Sequence, residues 1–220
     1  MPRPRTHDDA LRARLLEEAG REISEHGAGA LSLRRVASAA GTSTTAVYSL
    51  FGGRAELLAA VFDEAFRRFG THLAAVVPGD DVRDDLLALA RAYRASARAE
   101  PHFYGVMFGA ASVGVAPSHE SVAAALTTFA PLIDLVRRGI DDGVLVDEDP
   151  LRIAAALWAS VHGYSSLELA GLLPPGTGSD EAFAAGTRAA VDGWTTARAR
   201  ARSAGHAAPG HTAPGHIAPN

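Results

Sequence analysis

The sequence predicts an all-α protein, with an N-terminal three-helix helix-turn-helix unit and a larger helical domain behind it. Three observations carry this. Alanine is abundant and hydrophobic residues make up 47% of the 220, while strand formers are sparse. Long stretches repeat their apolar residues at the 3.6-residue helical period. The breaks between them carry helix stops (Gly, Pro) and helix caps (Ser, Thr, Asp) rather than hairpin turns.

The elements follow in order. Residues 1–7 read as a disordered arm. Asp8 or Asp9 can cap a helix to about His26, with Leu11, Leu15, Ala19 and Ile23 on one stripe. "HGAGA" stops it, and Ser32 caps a short helix, "LRRVASAA", closed by Gly41. Thr42 or Ser43 caps a third to about Phe51, and Gly52-Gly53 ends that one. A long helix is predicted over 54–77 on the spacing of Leu57, Leu58, Val61, Phe62, Ala65, Phe66, Phe69 and Leu73. Asp80 or Asp81 begins the next, to about Glu100, and Pro101 opens the short aromatic segment "PHFYGVMFG". "ASVGVAPS" reads as a loop. A helix over 119–142 contains Pro131, which should kink or split it. Pro150 starts an almost wholly apolar helix to about 173, "PPGTGS" breaks it, and a last helix is predicted over 180–202. The tail 204–220, a Gly-His-Ala-Pro repeat, reads as disordered.

The functional signal lies in "AGTSTTAVYSLFGGR" (40–54). Two short helices joined by a glycine-bearing turn have helix-turn-helix layout. Val36, Ala37, Ala40 and Val47 are placed to pack the pair, with Leu50 and Phe51 at its base, which leaves Thr44, Thr45, Tyr48 and Ser49 facing outward. Small hydroxyl residues at a helix start allow close approach to base edges and can donate to phosphate. The net charge of −4 argues against a generally basic nucleic-acid binder, yet no acid occurs between Gly27 and Glu56, a window holding Arg34, Arg35 and Arg54. The candidate DNA-binding residues are Ser32, Arg34, Arg35, Thr42, Ser43, Thr44, Thr45, Ala46, Tyr48, Ser49 and Arg54.

"LSLRRVASAAGTSTTAVYSLFGGRAELLAAVFDEAF" resembles the DNA-binding region of the TetR family of transcription regulators. The resemblance covers about residues 8–66 and rests on Gly41-Thr42-Ser43 in the turn, Tyr48 and Phe51 in the third helix, and Arg-x-Glu-Leu-Leu opening the fourth. The chain departs from the family's usual pattern at Leu50, where His is common, and at Arg54, where Lys is common. "LWASVHGYSSLEL" (157–169) resembles the Trp-x-x-x-His-Gly (WHG) signature of one subgroup. The resemblance implies a dimer joined through its last two helices, a palindromic double-stranded operator, and repression relieved by a small-molecule effector.

Three divisions follow: a helix-turn-helix domain over 8–53, a linking helix 54–77, and a ligand-binding and dimerisation domain over 54–203. The expected pocket residues are Phe103, Tyr104, Met107, Phe108, Phe129, Trp158 and His162, which suit an apolar or aromatic effector. No phosphate-binding glycine loop, zinc-protease or nucleophile-elbow motif is present and there is no Cys, so the chain reads as a non-enzyme with no cofactor and no catalytic residue. His206, His211 and His216 could bind a divalent metal weakly, but they read as part of a repetitive extension and not as a metal site. No apolar run suits a membrane span and no secretory leader is evident, so a cytoplasmic protein is expected. The competing reading is a helical interaction or small-molecule-binding protein without sequence-specific DNA binding.

Overall fold

Local capping chemistry sets where the helices begin. The computed structural model describes residues 5–108 and 119–206. Its helices are α1 (Arg5–His26), α2 (Leu33–Ala39), α3 (Thr44–Phe51), α4 (Arg54–Ala74), α5 (Val82–Ala99), α6 (Pro101–Phe108), α7 (His119–Thr127), α8 (Ala130–Asp141), α9 (Pro150–Leu169), α10 (Asp180–Trp194) and α11 (Ala197–His206). A 3-10 turn, Ala28–Ala30, links α1 to α2. Ser32, Ser43, Asp81, Asp149 and Ser179 each accept a backbone N–H of the helix that follows, satisfying donors that the first turn leaves free.

Three expectations need correction. The chain is already helical at Arg5, so residues 5–7 belong to α1 and not to an arm, and Asp8 sits in its first turn rather than capping it. The long linking helix stops at Ala74, not at 77. The stretch over 119–142, by contrast, is split as Pro131 led one to expect: α7 ends at Thr127, and Pro131 sits in the first turn of α8, where its missing N–H costs nothing. The last helix also breaks. Thr195 is extended and pairs with Leu145 in an isolated antiparallel bridge, with Val146 N–H donating to Trp194 O and Thr196 N–H to Val144 O, both at 2.8 Å. Two adjacent β-branched threonines favour that extended step. α11 then carries the chain through residues 204–206, which were expected in the tail. The predicted loop 111–118 and residues 207–220, with His211 and His216, lie outside the described residues.

Buried side chains form two clusters that share α4. The first packs α1–α3 against Leu57, Leu58 and Val61 of α4 and against Phe103 and Val106 of α6. The second packs α5, α8, α9 and α10 around Phe69 and Leu73 of α4 and Tyr104 of α6. α1 and α6 approach closely because Gly20 has no side chain: a Cβ there would lie 3.2 Å from the Phe103 ring. Arg94, only 5% exposed, ties α5 to the far side of the second cluster. It donates to both oxygens of Glu168 at 2.7 Å and to Asp180 at 2.7 Å, and lies over the Phe183 ring at 4.8 Å.

Gly139 of α8 is the tightest backbone contact of the second cluster. A Cβ there would lie 2.7 Å from Leu145 Cδ1 and 2.8 Å from its Cγ, and Leu145 is itself fully buried at the bridge. Gly139→Ala therefore overpacks the site, with an expected loss of about 1–3 kcal/mol in urea unfolding, where an exposed helical glycine would gain from the same change.

Candidate nucleic-acid interface and ligand cavity

The turn between α2 and α3 is built from backbone bonds. Gly41 takes φ 68, the left-handed conformation that favours glycine. Thr42 N–H then reaches back to Ala37 O at 2.8 Å, closing α2 in a Schellman arrangement. Ser43 accepts from Ala46 N–H at 3.3 Å and opens α3. Val47 is fully buried and orients the helix, while Leu50 and Phe51 pack half-buried against the first cluster. Tyr48 is consequently 56% exposed, and Thr45 and Ser49 lie beside it in solvent, with Thr44, Ala46 and Thr42 half-buried at the rim.

The arginines divide. Arg34 is exposed and makes no ion pair among the described residues. Arg35 is drawn back to α1, where its guanidinium pairs with Glu22 and donates to Ala30 O at 2.7 Å; the Glu22 hydrogen bond holds its pKa above the ordinary value. Arg54 is the clear correction. It was expected to face DNA, but it donates to Leu31 O at 3.0 Å, Ala28 O at 2.6 Å and Gly29 O at 3.0 Å. Those carbonyls belong to the 3-10 turn and its exit; Ala28 O already accepts Leu31 N–H at 3.3 Å, and a cation at the start of α4 serves the acceptor sites that the short turn leaves over. Ser32 and Ser43 likewise accept backbone N–H groups as caps. One cation was missed: Arg12 of α1 lies exposed over the Phe51 ring of α3, 5.2 Å from its centroid. Its place on the polar side of α1 gave no signal, because only the packing of α1 across α3 brings it there.

Behind this unit, residues of α4–α10 line a cavity of about 510 Å³. That is within the usual range for small-molecule sites. Of the seven expected pocket residues, Phe108, Phe129 and Trp158 line it. Phe103, Tyr104, Met107 and His162 do not. Phe103 turns to α1 and lies beneath the Arg68 guanidinium at 4.2 Å, and Met107 packs half-buried where the two clusters meet. His162 and Tyr104 stand just behind the wall, with His162 Nδ1 2.9 Å from both the Tyr93 and Tyr104 hydroxyls. Burial pushes His162 below its ordinary pKa, which keeps it neutral, and pushes both tyrosines up. Trp158 and His162 pack ring to ring at 5.4 Å, one helical turn apart on α9. The missed wall residues are chiefly Phe62, Phe66, Phe69 and Tyr93. Three of them belong to the apolar stripe read as plain helix packing; a stripe that wide and aromatic on one helix was the available signal.

The interface and the cavity meet on α4. Arg68 donates to Glu64 of its own helix at 2.8 Å, to Glu17 of α1 at 3.0 Å and to Glu100 at the end of α5 at 3.1 Å. Phe66 and Phe69, its neighbours, line the cavity.

The family description "Bacterial regulatory proteins, tetR family" matches residues 15–61, and "Tetracyclin repressor-like, C-terminal domain" matches 86–190, a span that includes Trp158, His162 and Gly163. A curated relative, the HTH-type transcriptional regulator Rv1816 of Mycobacterium tuberculosis, is 29% identical over 143 residues, covering 61% of this chain and 59% of the relative's length. Among solved structures, the regulatory protein SCO4313 is 30% identical over 87% of this chain and 100% of that one, with a TM-score of 0.70. A protein of unknown function from Rhodococcus sp. RHA1 is 28% identical over 84% and 96%, with a TM-score of 0.72. A TetR family transcription regulator from Marinobacter aquaeolei VT8, 22% identical over 87% and 98%, shares the fold with a TM-score of 0.73.

Two predictions follow from this geometry. Arg54→Ala, measured on the DNA-free protein in urea, should cost about 2–3 kcal/mol, because it strands carbonyls that a charged donor now serves; an unchanged midpoint would return Arg54 to the DNA face. The Arg67 hydrogen bonds hold the Glu64 carboxyl down at about 2 against an ordinary 4.5, with burial opposing and Arg68 assisting. Its folded pKa lies below its unfolded one, so its contribution is complete above about pH 4.5 and is lost as pH falls towards 2. Glu64→Gln should therefore flatten stability between those pH values relative to wild type. From the turn and capped recognition helix at one end to the helical cavity at the other, and in both family matches, the chain belongs to the TetR family.

Proposed function

We propose that the protein is a DNA-binding transcriptional regulator, a repressor that grips a palindromic operator as a homodimer and is released by a small-molecule effector. The observation that carries the DNA reading is α3 itself: a helix anchored by a fully buried Val47, with Tyr48, Thr45 and Ser49 left in solvent and the unpaired Arg34 on the neighbouring helix. Buried area gives no reason for this outward set, whereas base and phosphate contact does.

A dimer brings two such helices to half-sites one helical turn apart, about 34–36 Å. α9 and α10 suit the interface. Leu151, Leu167 and Leu169 of α9 are exposed large hydrophobics, and Gly163, Gly186 and Gly193 have open space where a Cβ would stand. A second copy would cover this face, and small residues let helices approach closely. The effector reading rests on the cavity and on α4, whose Phe66 and Phe69 line that cavity while its Arg68 holds α1. A ligand that prefers one packing of the cavity wall would shift α4, and so the separation of the two recognition helices, through its differential affinity for the two states.

Selection of bound DNA from a random pool, followed by fluorescence anisotropy on the selected site, tests the DNA reading. Tyr48→Ala should cost ~1–3 kcal/mol on the selected site and relax its sequence preference, and Arg34→Ala should lower the slope of log affinity against log salt by about one. If no sequence is enriched and both variants bind as wild type does, the helical interaction or small-molecule-binding alternative takes its place.

A further inference from the structure

The cavity's polar inventory is short enough to be settled atom by atom. Among the described residues, none of the lining side chains is a carboxylate, a guanidinium or an imidazole. The polar atoms in its wall come from Tyr93, Thr128, Trp158 and Thr187. Thr128 donates to Ala125 O at 2.6 Å and Thr187 to Phe183 O at 2.9 Å, so neither hydroxyl proton is free. The Trp158 indole N–H acts on the Tyr93 hydroxyl as a partner that lowers its pKa, against the larger effect of burial, which raises it. Among the described lining residues, Tyr93 is the one whose hydroxyl stands between alternative side-chain partners, His162 Nδ1 and the Tyr104 hydroxyl.

Behind Tyr93 that choice is built in. Both phenols stand 2.9 Å from His162 Nδ1. A neutral imidazole with its proton on Nε2 has a single lone pair there, so it accepts fully from one phenol at a time. Tyr104 has alternatives, Ser166 Oγ at 3.2 Å and His162 O at 3.4 Å. Tyr93 has only the Tyr104 hydroxyl at 3.4 Å. A ligand acceptor that takes the Tyr93 proton leaves Nδ1 to Tyr104, and every donor stays satisfied. A ligand charge has no such answer: a carboxylate or ammonium would be desolvated among hydrocarbon with no opposite charge in the wall.

We propose that the cavity takes an uncharged lipophilic molecule carrying one hydrogen-bond acceptor, the oxygen of a ketone, ester or ether, and that the Tyr93 hydroxyl receives that oxygen while Tyr104 takes over His162 Nδ1. This rests on the reading of the cavity as the effector site. The volume of about 510 Å³ leaves room for the ligand. At the ~30 Å³ that a water occupies in the liquid, it holds roughly 15–20 non-hydrogen atoms. Val122 and Leu126 of α7 and Ala155 and Trp158 of α9 line the cavity and stand exposed, so the ligand meets apolar side chains from entry to seat.

Isothermal titration of the full chain with three chains of equal length, 2-undecanone, undecanoate and undecylammonium, tests this, with operator binding measured in parallel. The ketone should bind at least tenfold more tightly than either ion. Tyr93→Phe, which keeps the ring and its packing, should weaken the ketone roughly three- to tenfold. Ser166→Ala removes the nearer of Tyr104's two alternative acceptors and should leave ketone affinity equal or tighter, where a merely structural role would weaken it. Undecanoate binding as tightly as the ketone, no binding by any of the three, or full ketone affinity in Tyr93→Phe each overturns the assignment. Weaker ketone binding in Ser166→Ala overturns the exchange at His162. If the ketone binds as described but leaves operator affinity unchanged, the assignment stands and the effector reading fails. If undecanoate releases operator and the ketone does not, the regulator reading stands and this assignment fails.

Discussion

One guanidinium joins the two halves of the molecule. Arg68 sits midway along α4, flat over the Phe103 ring, and donates to carboxylates from α1, α4 and the end of α5. Burial alone would lower its pKa, but the bonds to Glu64 and Glu17 and the charge of Glu100 more than offset it and hold it above the ordinary value. An arginine suits this place because its planar fork serves several acceptors at once and stacks on a ring, which an ammonium cannot do. α4 contributes to both hydrophobic clusters, and the Arg68 node fixes how α1 and α6 lie against it. α6 also reaches both clusters, through Phe103 and Val106 on one side and Tyr104 on the other, and the Arg68 node sets its place beside α4.

The part of the fold that depends on local chemistry was legible in the sequence. Ser32 and Ser43 cap the helices they were expected to cap, Gly41 makes the turn, and Pro131 divides the helix around it. Each of these effects is decided within four or five residues. The break at Thr195 was not legible, because it depends on Leu145, fifty residues away, offering a strand-like edge. The start of α1 at Arg5 was missed for the opposite reason: capping residues at Asp8 and Asp9 looked like a beginning, yet carboxylates also suit the first turn of a helix already under way.

The candidate sites show the same division. Which side of α3 faces out follows from Val47 and the helical period, so Tyr48, Thr45 and Ser49 could be read directly. What an arginine does could not. Arg34, Arg35 and Arg54 share one acid-free window, yet among the described residues one has no ion pair, one answers Glu22 and one answers three carbonyls. A window free of acids along the chain says nothing about acids or carbonyls brought in from another helix. The aromatic segment of α6 was correctly singled out, but alternate residues of a short helix face different neighbours. Phe108 reached the cavity, Tyr104 the polar group behind it, and Phe103 the opposite cluster.

The Arg54 clamp has a mechanical meaning. A guanidinium bonded to Ala28, Gly29 and Leu31 makes the start of α4 and the turn before α2 one solid corner. The other end of α2 is locked to α3 by the Gly41 turn. A tilt of α4 is therefore delivered to the helix-turn-helix as rotation of a block, with no hinge between lever and reading head. In the dimeric regulator we propose, such a motion alters where the two outward faces of α3 point and leaves unchanged what each of them reads.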